Sequence, residues 1–480
     1  MKKIFILLLM MTVSLNLMAG SGDVDGDGKR TLKDVEFITQ YIMGEPPNEF
    51  NEEAADVNGD TFINASDIVI LLNMILNNDI VLWVHPVKTG LPVVFINTPG
   101  GKAIPKKTES WMEKVSIQVY NPDGTIDYKD DSLSIRQRGN LTATLPKKPY
   151  ALKLNKSSKL LGMNKHKRWC LLANWIDRTL LRNYAAFQIA RQTALDWTPT
   201  GKFVEVMLNG KHVGNYYLCE QVRVNKNRVN ITEMKKEDVT EKTITGGYLL
   251  EVDVAYDEVN KFTSAKKSLP YMIKSPDEDV LQPAQKKYIT DYINKMEELL
   301  YADNWLKKRD YADMMDIGSF VDNWFVQELA MNSESRYPKS TYMFKDRGGK
   351  LKAGPVWDFD YETFYPSKTT KFNASFNYKN HEHVYYERLL QDPQFVAEVK
   401  KRWDAYKEGF GQIPAYIREM AAYIKASNEL DIAKWPLLPE YGIPATVNGD
   451  QNMTFDEAVE RMISCYEAKL AWMNEQIKNM

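Results

Sequence analysis

Cysteine is almost missing from this chain: three residues in 480, at Cys170, Cys219 and Cys465. That excludes a disulfide-stapled scaffold and leaves stability to ordinary hydrophobic cores. Cys170 and Cys219 sit in apolar, strand-like runs, where a free thiol behaves as a small buried hydrophobe. Histidine is nearly as scarce, with five in all and no set at zinc-binding spacing. An excess of one charge sign is lacking too. Lys and Arg total 62 against 64 Asp and Glu, so neither nucleic acid nor an anionic membrane is expected as a partner. Long apolar runs are confined to the start, where Lys2-Lys3, the stretch Ile4 to Leu17 and the small residues Ala19 and Gly20 read as a signal peptide over 1–19. Nothing later approaches the roughly 18 uninterrupted apolar residues of a membrane span. The expectation is an exported protein without a membrane span, in the periplasm, at the cell surface or outside the cell.

What is present begins with a duplication. Asp23-Val24-Asp25-Gly26-Asp27-Gly28-Lys29-Arg30-Thr31-Leu32-Lys33-Asp34 recurs as Asp56-Val57-Asn58-Gly59-Asp60-Thr61-Phe62-Ile63-Asn64-Ala65-Ser66-Asp67. Each copy sets oxygen-bearing side chains at positions 1, 3, 5 and 12 of a loop, the pattern by which hard oxygen ligands wrap Ca²⁺. The expected ligands are Asp23, Asp25, Asp27 and Asp34, then Asp56, Asn58, Asp60 and Asp67, with position 7 supplying the backbone carbonyl of Lys29 or Phe62. A short helix with spaced apolar residues follows each loop. Position 12 is Asp in place of Glu, and Thr61 stands where a glycine is expected at position 6, which predicts strain in the second loop.

Beyond residue 80 the chain is β-rich and punctuated by Pro and Gly, then mostly helical after about residue 280. Four groups there suit phosphate chemistry. Arg136 and Arg138 precede Gly139-Asn140, where backbone amides can approach a phosphate. Lys153 stands in the apolar strand Tyr150-Ala151-Leu152-Lys153-Leu154, opposite in phase to its neighbours. Glu328 to Glu334 is a helix end running into a polar loop. Finally, Gly354-Pro355-Val356-Trp357-Asp358-Phe359-Asp360 sets two carboxylates two residues apart. In an extended segment Asp358 and Asp360 share one face while Trp357 and Phe359 anchor the other. Two such anions call for a cation, and Mg²⁺ or Mn²⁺ is the natural one.

The duplicated unit, over residues 21–79, resembles a type I dockerin, which implies calcium binding and attachment to a cohesin-bearing scaffold or surface protein. The remainder resembles the CotH-type (spore coat protein H) kinase family. The resemblance is carried by Leu133-Ser134-Ile135-Arg136-Gln137-Arg138-Gly139-Asn140, Lys147 to Leu154, Leu171 to Asn183, Gly214 to Val222 and Gly354 to Asp360. It implies a two-lobed, protein-kinase-like α+β domain over 116–410, with a β-rich lead-in at 80–115, C-terminal helices at 411–480 and an all-helical dockerin in front. It also implies ATP and Mg²⁺ or Mn²⁺ as cofactors and an unknown protein as phosphate acceptor. Carried over by residue, Arg138, Gly139, Asn140 and Lys153 meet the nucleotide phosphates, and Glu220 to Val222 flank adenine. Asp358 and Asp360 hold metal with Asn332, and Glu334 is the catalytic carboxylate beside them. Three features depart from the family pattern: Gln188 replaces a helix glutamate, Asn332-Ser333-Glu334 replaces Asn-x-Asp, and the asparagine that would hold metal later in that loop has no match in Arg336-Tyr337-Pro338-Lys339-Ser340. The competing readings are a non-catalytic surface structural or adhesion protein on such a scaffold, and an accessory component of a polysaccharide-degrading assembly.

Overall fold

A computed structural model of the chain describes residues 22–59, 61–76, 85–334, 338–365 and 384–480. The signal-peptide segment and Asp60 lie outside the described residues. The chain divides into two compact units. The first takes residues up to 139 together with 147–173 and 202–218, and the second takes 140–146, 174–201 and 219–480.

The first unit opens with the loop-helix repeat. Helix α1 (Leu32–Ile42) starts at Thr31, whose hydroxyl and the Asp34 carboxylate form a reciprocal capping box. Short α2 (Glu52–Ala55) and α3 (Ala65–Leu76) follow. Val24, Ile38, Ala55, Val57, Leu71 and Ile75 form their small core. An all-helical module was expected; the region instead holds these short helices joined by long loops, because the oxygen-rich segments favour turns over helix.

The rest of the first unit is built on a closed barrel. Its strands are β1 (Val93–Asn97), β2 (Met112–Tyr120), β3 (Ile126–Gln137), β4 (Tyr150–Ser158), β5 (His166–Leu172), β6 (Gly201–Leu208) and β7 (Lys211–Glu220). They run in the order β1-β2-β3-β4-β5-β7-β6, and β1 closes the ring by pairing parallel to β6, from Val93 opposite Glu205 to Ile96 opposite Leu208. Alternate residues fill the interior: Val94, Ile96, Ile135, Leu152, Leu154, Trp169, Val206 and Leu218 belong to one core. This overturns the expected two-lobed protein-kinase-like architecture. The closing pair joins segments more than a hundred residues apart, and strand periodicity carries no record of which distant strand a run will meet.

The second unit contains an antiparallel sheet of five strands, ordered β12-β11-β8-β10-β9. These are β8 (Tyr248–Val252), β9 (Lys261–Thr263), β10 (Pro270–Ser275), β11 (Thr341–Lys345) and β12 (Leu351–Ala353). Every residue of β8 and β11 is buried, as expected of strands covered on both faces. Helices α4 (Arg182–Arg191), α5 (Pro283–Leu300), α6 (Trp305–Lys308), α7 (Ile317–Leu329), α8 (Tyr386–Leu389), α9 (Pro393–Phe410), α10 (Ile413–Lys434), α11 (Ile443–Thr446) and α12 (Phe455–Asn479) complete it. Helix α7 is buried throughout Ser319 to Leu329, so it serves as the hub on which α4, α9 and α12 pack. Lys469 of α12 meets Glu328 of α7 at 2.9 Å with both side chains fully buried. Removing either alone would strand a buried charge, a loss of about 3–5 kcal/mol. No helix among the described residues is long and apolar enough to cross a membrane.

Candidate active site and calcium loops

The carboxylates of the Asp358 segment do not sit on an extended strand. Asp358 takes a left-handed backbone, φ +68°, and is exposed, whereas Asp360 is buried. Trp357 and Phe359 are both buried, Trp357 stacking on Phe187 of α4 at 6.2 Å between centroids. The Phe359 N–H donates to Asn183 Oδ1 at 2.8 Å, so α4 fixes the peptide between the two acids. A non-glycine left-handed residue costs about 1–2 kcal/mol and persists only where surrounding contacts hold it.

The second cluster element is the turn after α7. Asn332 donates from Nδ2 to Gln327 Oε1 at 2.8 Å and accepts the Glu334 N–H at 3.0 Å, which makes it a brace for Glu334. The Ser333 hydroxyl donates to the Glu362 carbonyl at 3.0 Å, tying this turn to the segment beyond Asp360. Glu334 is 12% exposed and meets Lys339 Nζ at 2.6 Å. Ser340 links two more acids, its hydroxyl donating to Asp358 Oδ2 at 3.2 Å and its N–H to Asp253 Oδ2 at 3.0 Å.

Burial and mutual repulsion raise the carboxyls of this cluster. Burial, then the Asp358 charge, pushes the Glu334 carboxyl up to about 7, against the opposing pull of Lys339. Burial followed by Asp358, Glu334 and Asp177 holds Asp360 well above the ordinary carboxylate range. Clustered acids with raised affinity for protons are groups that a divalent cation would relieve.

Behind the cluster lies a buried network that sequence reading missed. Helix α4 begins at Arg182, and Asp177 ahead of it accepts the N–H groups of Thr179 and Arg182 at 2.9 and 2.8 Å. The Arg182 guanidinium also bonds Asp177, reaches Asp450 at 2.7 Å, and donates from Nε to the Thr363 carbonyl at 3.1 Å. Asn448 donates to the Asp360 carbonyl at 2.8 Å. The only local signal was the run Asp177-Arg178-Thr179-Leu180-Leu181-Arg182-Asn183, and nothing in it points to Asn448 or Asp450.

The residues expected to meet a nucleotide are spread over both units. In the first, Arg138 extends the β3–β4 pairing by donating its N–H to the Pro149 carbonyl at 3.0 Å, and Gly139 follows at φ +84°, a conformation that favours glycine. Lys153 is exposed on β4 between Ser134 and Arg168, while Leu152 and Leu154 point into the barrel. Trp111 is flanked by the guanidinium groups of Arg136 and Arg168, 4.5 and 4.8 Å from its ring. In the second unit, Asn140 is exposed and Val222 is buried. Glu220 is 2% exposed; its Oε2 accepts the Thr200 N–H at 3.0 Å, while its Oε1 is buried with no hydrogen-bonding partner. Burial raises this carboxyl despite Arg228 and Arg191 nearby. Gln188, the departure on α4, is half-buried.

The calcium loops share one backbone pattern. Gly26 and Gly28 have φ of +70° and +83°, and Gly59 and Thr61 match them at +69° and +72°. Thr61 thus holds a conformation that a β-branched residue rarely adopts. In the first loop one carboxylate oxygen from each of Asp23, Asp25 and Asp27 lies within 4.8 Å of the others. Asp23 Oδ1 is buried without a partner, and Asp25 pairs with Lys33 at 2.8 Å. Asp34 is buried and takes the N–H groups of Val24, Asp25 and Thr31 at 2.7, 3.1 and 2.7 Å. Asp67 repeats the arrangement with Asn58 and Asn64, at 3.1 and 2.9 Å. The Thr61 N–H donates to Asp56 at 2.8 Å, as Gly28 does to Asp23 at 3.0 Å. Lys29 is exposed, and the Phe62 carbonyl accepts from Asn64 at 3.1 Å.

The family described as CotH kinase protein matches residues 135–473, and the Dockerin type I domain matches residues 21–76. The first match spans well over half of the chain, which therefore belongs to the CotH kinase protein family and carries a dockerin type I domain ahead of that region. Dockerin type I domains bind calcium, and the paired loops are built for it. No curated protein matches the chain.

Proposed function

We propose that this chain is an exported protein kinase. It transfers the terminal phosphate of ATP to a hydroxyl of a protein partner, and its dockerin holds it to a cohesin-bearing scaffold or surface protein. The observation that carries this reading is that Glu334 and Asp360, from two loops, are both buried and both raised by the charge of exposed Asp358, which the Ser340 hydroxyl holds at 3.2 Å. Their hard oxygens suit Mg²⁺ or Mn²⁺, which when bound supplies charge neutralisation for phosphate oxygens. Asp358 and Asp360 are the proposed cation ligands, with Asn332 bracing the turn beside them. Glu334 is the proposed acceptor of the substrate hydroxyl proton as that oxygen bonds to phosphorus and the bond to the ADP oxygen breaks. Arg138, Gly139, Asn140 and Lys153 are assigned to the phosphates by the family resemblance. For Glu220 and Val222 beside adenine, the support is the orphaned Glu220 Oε1, a buried acceptor suited to a ring amino group.

Purified mature protein incubated with terminally labelled ATP, Mn²⁺ and a cohesin-bearing partner should yield labelled protein. Label released only as inorganic phosphate, or no consumption of ATP, would overturn the kinase reading.

For the dockerin we propose Asp23, Asp25, Asp27, Asp34 and the Lys29 carbonyl as one Ca²⁺ set. Asp56, Asn58, Asp60, Asp67 and the Phe62 carbonyl form the other. Chelation should expose residues 21–79 to protease while the larger region stays resistant, and unchanged cleavage would sink the assignment. Thr61→Gly removes a left-handed threonine worth about 1 kcal/mol. Calorimetric titration should therefore show roughly fivefold tighter calcium at the second loop.

A further inference from the structure

Residues 359–363 belong to no helix or strand, so their backbone groups must find partners one by one. Four bonds do this. The Phe359 N–H goes to Asn183, the Thr363 hydroxyl to the Phe359 carbonyl, the Thr363 carbonyl to Arg182, and the Asp360 carbonyl to Asn448. The others fix the flanks; among the described residues Asn448 is the side chain that holds the Asp360 backbone. Asn448 is 1% exposed and lies between α11 and α12. Its Nδ2 donates to the Asp360 carbonyl at 2.8 Å and to the Ile176 carbonyl at 3.2 Å, which sets the orientation of the amide. The Asn448 main-chain carbonyl accepts Arg461 Nη1 at 3.0 Å, and that guanidinium lies 4.0 Å over the Tyr365 ring. Gly449 follows at φ +64°, where a Cβ would come within 2.9 Å of Tyr365. The turn that presents Asn448 is thus held rigidly against the same segment.

We propose that Asn448 is a positioning residue for Asp360. It bridges two backbone carbonyls from segments far apart in the chain and so fixes the direction in which the Asp360 carboxylate meets a divalent cation. The inference rests on the reading of Asp360 as a cation ligand. A neutral donor is required here: an aspartate would face both carbonyls with an acceptor and add charge to an already repulsive cluster.

The test is Mn²⁺ binding by the whole mature chain, followed by the loss of the free-ion electron resonance signal, with saturating Ca²⁺ present to fill the dockerin loops. Asn448→Ala should weaken Mn²⁺ about tenfold, the scale at which partners behind a ligand act. Asn448→Asp should weaken it further, and Asn448→Ser, which keeps one donor, should fall between alanine and the parent. Trp403→Phe, which breaks a remote bond from the indole to Asn474 (3.1 Å), should leave Mn²⁺ affinity unchanged. Parent-like affinity in both Asn448→Ala and Asn448→Ser would overturn the proposal while leaving the cation reading intact. Absence of Mn²⁺ binding by the parent protein would overturn both.

Discussion

Asp360→Asn should abolish phosphate transfer while making the cation-free protein more stable once pH exceeds the raised folded value of the Asp360 carboxyl. The two effects share one cause. Asp360 is buried among Asp358, Glu334 and Asp177, and its carboxyl is held well above the ordinary range. A carboxyl whose folded affinity for protons exceeds its unfolded one stabilises the fold below the unfolded value. It loses that contribution as pH rises through the folded value. Above that folded value the parent therefore carries an unfavourable buried charge that asparagine lacks. Function is where that charge is used: a cation drawn in by the cluster neutralises the phosphate oxygens, and a neutral amide attracts it far less. Transfer should fall by at least about 10³-fold, the scale on which charge-neutralising groups act in phosphoryl transfer. Labelled-ATP assays and thermal unfolding in chelator measure the two arms. A variant that loses activity and also unfolds at lower temperature would point to a structural carboxylate.

The dockerin repeat was legible in the sequence, because the spacing of its oxygen-bearing residues and its left-handed glycine positions are local properties. Even the Thr61 anomaly follows, since a missing glycine leaves the required φ of +72° in place. The apolar anchors Trp357 and Phe359 were legible for the same reason: alternation marks them, and both are buried. The turn at Asp358 was not. The residues that follow it, Phe359 and Asp360, are held by Asn183 and Asn448, which lie far away in sequence. Barrel closure failed for a related reason. The β1 and β6 runs each read as strands, but their parallel partnership is a decision of the whole fold. The Asp177–Arg182–Asp450 network is the extreme case, three charges whose mutual burial no window of sequence contains.

Glu334→Gln should spare nucleotide and cation binding yet slow transfer by roughly 10²- to 10⁴-fold, the range lost with a positioned base. The parent's pH profile identifies the group. Only ionised Glu334 accepts a proton, and its carboxyl is pushed up to about 7, so the rate should climb with pH to a midpoint at or below that value once a cation shares the cluster. Lys339, 2.6 Å away, favours the ionised form. Lys339→Met should therefore move the climb to higher pH, whereas Glu334→Gln should flatten it. Stability carries the opposite sign. A carboxyl raised from 4.5 to about 7 on folding contributes below the lower value and loses that contribution as pH rises through the upper one. Between those limits the glutamine variant should lose less stability than the parent. Full transfer activity in Glu334→Gln would remove the residue from the mechanism. Loss of nucleotide binding in that variant would instead assign Glu334 to the cation site beside Asp358 and Asp360.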